Sequence, residues 1–341
     1  MKHKRNFTPV PTLFSEFVMP QIRTYRIPYT GSKNAIAPQI IGAILTNTSG
    51  HGNRRFVDAF CGGGAILYGV QHCRMFGAIL GNDLNSEIIE LHRNLPDLDL
   101  EYIARTPCIL RPNEALQAKY PHVKLINEIE PRYQMAFKIT YSFGNHCQTN
   151  MWGDKMIIKY ELSRLLFDDP DLMAQALADF AGTDIVIPFT YTADGLVTRY
   201  EQYKQHVGLY RKKLQRLQQL EQLQQLQQLQ RLQQLERLQQ LEFTSQSYAQ
   251  IDYRPNDVIY FDPPYRSTLD GKGYHGLGFD NDTFEDFARS LKCPVFISEY
   301  VERIDGFEPL LRIGKLATMK NKGSSKESKQ RYEYLHWNGI R

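Results

Sequence analysis

Residues 54–83 read RRFVDAFCGGGAILYGVQHCRMFGAILGND, and this stretch decides the fold. Residues 54 to 60 read as a short buried strand. Cys61-Gly62-Gly63-Gly64 is a tight turn. Ala65 to Phe76 carries helical spacing of apolar groups, and Gly77 suits its C-terminal end. A second strand runs from Ala78 to Leu80 and reaches Asn82-Asp83. Strand, glycine turn, helix, strand and acid in this order make a nucleotide-type α/β unit.

Working outward, Val258 to Phe261 reads as another strand, running straight into Asp262-Pro263-Pro264-Tyr265, and Pro294 to Ser298 as a later one. Alternating strands and helices predict a mainly parallel sheet covered on both faces, a Rossmann-like α/β class. The pattern changes between about 96 and 205. Helical stretches (Glu128 to Ile139, Met156 to Phe167, Asp171 to Phe180) flank a Gly/Asn/Gln/Trp segment from Phe143 to Gly153. This region reads as an inserted, mainly helical subdomain. The predicted division is 1–95 with 206–341 as one domain and 96–205 as the other.

Leucine recurs every third residue from Leu214 to Leu241, mostly separated by Gln. Both residue types favour a helix. Three residues advance roughly 300° on an α-helix, so the leucine stripe drifts about 60° per triplet. One straight helix therefore cannot bury all ten leucines on one side. The readings are a helix gripped on different faces, which propensity favours, or a coil with three-residue turns. Either way the repeat reads as a length-variable spacer without chemistry of its own.

The bulk composition narrows the class. The chain has 341 residues, 42% hydrophobic and 23% charged, enough for a packed core. A net charge of +4 is a mild bias toward polyanions. The basic segment from Lys315 to Arg331 (Lys315, Lys320, Lys322, Lys326, Lys329 and Arg331 against Glu327) reads as a loop able to meet phosphates. Arg331, Glu333 and Trp337 read as part of a final, structural strand. Cys61, Cys73, Cys108, Cys147 and Cys293 are dispersed, which argues against a disulfide framework or a zinc site. No signal peptide and no membrane-spanning run is expected, so the cytoplasm is the default. The sequence does not indicate an oligomeric state.

A glycine turn lets a ligand approach the backbone, and an acid about 20 residues on can bind ribose hydroxyls. Gly62, Gly64 and Asp83 fit that geometry. A dinucleotide motif needs a third glycine where the chain has Leu67, which disfavours a nicotinamide or flavin enzyme and leaves S-adenosylmethionine.

Asp262-Pro263-Pro264-Tyr265 suits methyl transfer to an exocyclic amine. That lone pair is delocalised into the ring, so it needs acceptors on its N–H groups. Asp262 supplies a carboxylate. Pro263 supplies a backbone carbonyl stiffened by Pro264. Preorganised acceptors of this kind act on the transition state. Tyr265 offers a ring for stacking a flipped base. No step needs a metal.

With these residues in view, the chain resembles the Dam-like DNA adenine-N6 methyltransferases, whose order is cofactor motifs, target-recognition region, catalytic motif. Pro28-Tyr29-Thr30-Gly31-Ser32-Lys33 is similar to their N-terminal cofactor motif, with the lysine near the cofactor's carboxylate. The stretch from Asp58 through Phe60-Cys61-Gly62-Gly63-Gly64 is similar to the motif around the methionine moiety, and Asn82-Asp83-Leu84-Asn85 to the ribose motif. Gln246-Ser247-Tyr248 is similar to the segment lining the cofactor's adenine, without the acid common there. The resemblance implies an S-adenosylmethionine-dependent enzyme acting on adenine in double-stranded DNA. It implies recognition elements within 96–205, with Arg132, Lys138, Asn145 and His146 as candidate DNA contacts. A related enzyme modifying an RNA or protein amide nitrogen is the alternative, and a non-catalytic DNA-binding or assembly module a further one.

Overall fold

The computed structural model describes Ile22 and residues 26–106, 108–111, 124–142, 147–148, 216, 219–228, 240–265, 279–315 and 331–341. The expected helices 156–167 and 171–180, the segment 143–153 apart from 147–148, Asn145, His146 and basic residues 316–330 lie outside the described residues. The chain forms two compact units, one of residues 1–26, 31–92 and 229–341, the other of 27–30 and 93–228.

The first unit is built on a seven-stranded sheet. Its strands are β1 (Arg55–Asp58), β2 (Ala78–Asn82), β5 (Gln240–Thr244), β6 (Asp257–Phe261), β7 (Val295–Glu299), β8 (Glu308–Lys315) and β9 (Arg331–Trp337). The short β3 (Cys108–Ile109) and β4 (Lys124–Leu125) pair with each other in the second unit. The order across the large sheet is β5-β2-β1-β6-β7-β9-β8. Neighbours from β5 to β7 are parallel, and β9 runs antiparallel to both β7 and β8. The expectation of a mixed α/β fold with a mainly parallel sheet is met.

β6 and β7 are buried along their whole length, and β1 and β2 at all but their first residues, as expected of strands covered on both faces. Val57, Ile259, Phe261, Val295 and Ile297 share a core with Phe284 and Ala288 of a helix, Asn281–Ser290. Alternation sends Phe56, Val258, Tyr260 and Phe296 to the other face, where Phe296 stacks on Trp337. Arg55 and Asp257 are register partners and form a two-pronged ion pair, Nε to Oδ1 at 3.0 Å and a terminal nitrogen to Oδ2 at 2.7 Å. This clamp fixes β1 against β6 at the edge opposite the motifs.

Helix α1 (Ala37–Asn47) follows Lys33, α2 (Ala65–Cys73) follows the glycine turn, and α3 (Ser86–Asn94) follows Asp83. α2 stops earlier than the expected Phe76. Its end is capped by Arg74 in the left-handed region (φ 52°), not by Gly77. Gly77 is needed for a different reason. A Cβ there would lie 2.4 Å from the Gly52 carbonyl oxygen, so close backbone approach selects glycine.

In the second unit, α4 (Leu100–Arg105) packs on α5 (Pro131–Tyr141) through Tyr102, Tyr133 and Phe137. Residues 219–228 of the Leu-Gln repeat are helical, in line with propensity. Leu220, Leu223 and Gln227 are buried, whereas Leu226 is half-buried. That i, i+3, i+7 spacing is one helix face. The drift of a period-three stripe explains why a glutamine replaces a leucine on it. The Gln224 amide donates to the Leu95 and Leu98 carbonyls, and that of Gln228 to Pro96. Arg216 donates to the Ile139, Thr140 and Ser142 carbonyls, satisfying the C-terminal end of α5. Leu241, the last leucine of the repeat, belongs instead to strand β5.

Candidate active site

β1, β2 and β6 are neighbouring parallel strands, so their carboxyl ends share one edge of the sheet. β1 ends at Asp58 and leads into the glycine turn, β2 leads into Asp83, and β6 leads into Asp262. The strand order switches sides at β1, with β2 on one side and β6 on the other, and open α/β sheets hold ligands at such a point.

The glycine turn is pinned from both sides. Gly62 N–H donates to Asp83 Oδ2 at 2.9 Å, and the Gly62 carbonyl oxygen lies 2.8 Å from His92 Nε2. A carbonyl can only accept, so Nε2 carries the proton. His92 Nδ1 then accepts from the Tyr68 hydroxyl at 2.7 Å. Burial lowers the His92 pKa to about 4, partly offset by the Gly62 bond, so the ring is neutral. Gly64 sits at φ 76°, and a Cβ there would fall 2.6 Å from the Tyr68 ring.

Asp83 is more than an exposed acid after a strand. Its Oδ1 also accepts Asn85 N–H at 2.9 Å, so its carboxylate joins the two loops. Asn82, buried beside it, donates to the Ala59 and Gln246 carbonyls and accepts from the Thr244 hydroxyl and the Gln246 N–H. It ties the exits of β1, β2 and β5 together, a role its sequence position does not announce. Leu84 is 62% exposed, the most open large apolar side chain among the described residues.

Asp58 is buried at 1% exposure, and its Oδ1 has no hydrogen-bond partner. Burial, with Asp262 and Asp83 adding repulsion, pushes its carboxyl well above the usual range. Phe60 packs against Tyr248 and Phe284, at 5.6 and 6.0 Å between ring centroids. Ser247 N–H donates to the Gln250 side chain, closing the short turn that carries Tyr248.

Asp262 engages both carboxylate oxygens. Oδ2 lies 2.7 Å from Lys33 Nζ, and Oδ1 accepts the Tyr265 hydroxyl at 2.8 Å. Lys33 also lies 4.8 Å over the Tyr265 ring, whose other neighbour is Tyr300 at 4.3 Å. Burial raises the Asp262 pKa, Lys33 opposes that, and Glu333 adds to it. The resemblance implies Lys33 beside a cofactor carboxylate; here it holds Asp262. The motif suggests Tyr265 as a stacking face; here its ring is packed between Lys33 and Tyr300, and its hydroxyl serves Asp262.

Glu333, which reads from the sequence as structural, belongs to this cluster. It is 1% exposed, and its Oε1 lies 3.6 Å from Lys33 Nζ and 3.1 Å from the Tyr265 hydroxyl oxygen. Because β9 runs backwards, its first residues arrive at the edge where the parallel strands end. A carboxylate inside the otherwise apolar and aromatic run Tyr332 to Trp337 is the available signal.

Tyr29 is half-buried and falls in the second unit. Arg132 is exposed on α5 and ion-pairs with Glu130 at 2.8 Å. Lys138 is half-buried on the same helix. Six residues separate the two, so they point about 120° apart and do not form one basic stripe. Cys61, Cys73, Cys108, Cys147 and Cys293 form no disulfide. Among the described residues no helix is long and apolar enough to cross a membrane.

A family model described as D12 class N6 adenine-specific DNA methyltransferase matches residues 29–302. No curated protein matches the chain.

Proposed function

Because the chain belongs to the D12 class of N6 adenine-specific DNA methyltransferases, and so is an enzyme that methylates adenine N6 in DNA, we propose that Asp262 and Pro263 accept the two N–H bonds of the target amine. The observation that carries this reading is the Asp262 carboxylate, partly buried at the carboxyl end of β6 and held by Lys33 and Tyr265. As N6 attacks, positive charge grows on it. A fixed carboxylate and a Pro-stiffened carbonyl favour that charge more than the ground state. A raised carboxyl pKa also makes Asp262 a better acceptor for the proton that N6 sheds. Pro264 holds the loop, and Tyr265 orients the carboxylate through its hydroxyl. The target adenine is taken from duplex DNA by flipping, since N6 is otherwise hidden in a base pair.

The family is generally S-adenosylmethionine-dependent, and this donor supplies an electrophilic methyl on a sulfonium. The residues present fit it. The buried acids Asp58 and Glu333, with the partly buried Asp262, outnumber Lys33, which suits a ligand carrying positive charge. Asp58 Oδ1, buried without a partner, suits the ligand's ammonium. The Gly62–Gly64 turn leaves room for its chain, with Phe60 alongside. Asp83 suits the ribose hydroxyls, while Leu84, Ser247 and Tyr248 border the adenine ring, and Lys33 and Tyr29 complete the N-terminal motif. In the same proposal, residues 1–95 and 206–341 form the catalytic part and a helical insert, 96–205, the target-recognition part. Arg132, Lys138, Asn145 and His146 are its candidate DNA contacts. A DNA substrate also implies a cytoplasmic location with the cell's DNA.

Calorimetric titration with S-adenosylmethionine tests the cofactor reading. Wild-type protein is expected to bind. Asp83→Ala, which frees the Gly62 N–H and removes the ribose acceptor, is expected to bind about tenfold or more weakly. Equal affinity would remove Asp83 from the site.

A further inference from the structure

We propose that Glu333 is a positioning residue for methyl transfer: it takes over Lys33 and Tyr265 from Asp262 when the target amine arrives. This rests on the reading of Asp262 as the acceptor of that amine.

Both acceptor atoms of Asp262 are already occupied. Oδ1 holds the Tyr265 hydroxyl and Oδ2 holds Lys33 Nζ. Each oxygen keeps a second lone pair, so an incoming N–H joins these donors on the same carboxylate and competes with them for its charge. A phenol has one proton and donates it well to one acceptor at a time. Lys33 Nζ also reaches the Gly31 carbonyl oxygen at 3.5 Å, but a carboxylate is the stronger acceptor for an ammonium or a phenol. One atom serves for both. Glu333 Oε1 is 3.1 Å from the Tyr265 hydroxyl and 3.6 Å from Lys33 Nζ. Small shifts therefore exchange partners without leaving a buried donor unsatisfied.

The surroundings keep Glu333 in place for this exchange. It lies on β9, paired with Ile313 of β8. The Tyr265 ring meets Tyr300 at an edge, and its hydroxyl oxygen already lies within hydrogen-bond distance of both acids, so changing acceptor needs only rotation of the O–H bond. The charged and titratable groups facing Asp262 are Lys33 from the loop before α1, Tyr265 from its own loop, Tyr260 from β6, Asp58 from β1 and Glu333 from β9. Glu333 raises the Asp262 pKa by repulsion. Its removal therefore lowers that pKa, an effect a purely structural role does not predict.

The test compares wild type, Glu333→Gln and Asp262→Asn in single-turnover methylation of unmethylated genomic duplex DNA across pH. Glu333→Gln is expected to slow transfer about tenfold to a hundredfold, as misplacement of reacting groups does. Affinity for S-adenosylmethionine and DNA is expected to hold within about twofold, and the acid limb to move to lower pH. A wild-type rate, or a slower rate with an unmoved acid limb, overturns the proposal. If Glu333→Gln melts too low for comparison, Glu333→Asp decides. It keeps the charge and withdraws the carboxylate, so the acid limb should stay while the rate falls, and a wild-type rate overturns the proposal. Asp262→Asn separates the two layers. If it stays active, the catalytic assignment has failed; if it is inactive while Glu333→Gln is unaffected, Glu333 alone has been misread.

Discussion

Lys33 Nζ lies 2.7 Å from Asp262 Oδ2, joining the loop before α1 to the loop after β6. Lys33 is buried and Asp262 partly so, with side-chain exposures of 7% and 17%. Removing one member of such a pair strands the other's charge. Lys33 favours ionised Asp262, against burial and Glu333. Replacing it with methionine keeps much of the side-chain bulk and removes the charge. The Asp262 pKa should then climb further. Lys33→Met is expected to move the acid limb of single-turnover methylation to higher pH, with activity partly recovered in alkaline buffer. An unmoved or lowered limb would break the link between the two residues.

His92 gives a stability prediction of opposite chemical origin. Its folded pKa is about 4 against an ordinary value of 6.5, because burial disfavours the imidazolium. Between those values the unfolded chain binds the extra proton, so stability falls as pH drops from about 6.5 toward 4. The shift corresponds to about 3 kcal/mol when the window has been crossed. Urea unfolding across this range is expected to show that decline. His92→Gln should flatten it while lowering stability at neutral pH, through loss of the bonds to Tyr68 and Gly62.

Asp58 should show a trade between stability and binding. Its folded carboxyl pKa lies well above the unfolded value, because burial and neighbouring acids disfavour the charge. The folded state therefore holds its proton more tightly, and stability declines as pH rises from about 4 through the folded pKa. Asp58→Asn removes that burden. It is expected to stabilise the fold at neutral pH by about 1 kcal/mol, and to weaken S-adenosylmethionine binding about tenfold or more. Thermal melting and calorimetry read the two effects. A destabilised variant with intact affinity would reverse the interpretation.

The parts legible in sequence are those written in local patterns. The strand, turn, helix and strand of residues 54–83 stand out because buried strands and glycines at positive φ leave strong marks. The carboxyl-edge placement of Asp58, Asp83 and Asp262 follows from strand order. What stays hidden depends on distant pairing. Glu333 looks structural because nothing local says that a reversed strand will carry it to Asp262 and Lys33. Strand β5 is masked by the Leu-Gln repeat that runs into it at Leu241. Gly77 looks like a helix cap because its true neighbour, the Gly52 carbonyl, lies across a loop. Asn82 reads as one letter of a motif, while its bonds reach Ala59, Thr244 and Gln246.

The most direct measurement is the single-turnover transfer of tritiated methyl from S-adenosylmethionine to adenine in unmethylated duplex DNA by Asp262→Asn. Loss of a preorganised charged acceptor is expected to slow transfer by about a hundredfold or more, with S-adenosylmethionine affinity retained. A rate within about threefold of wild type would contradict the role given to Asp262.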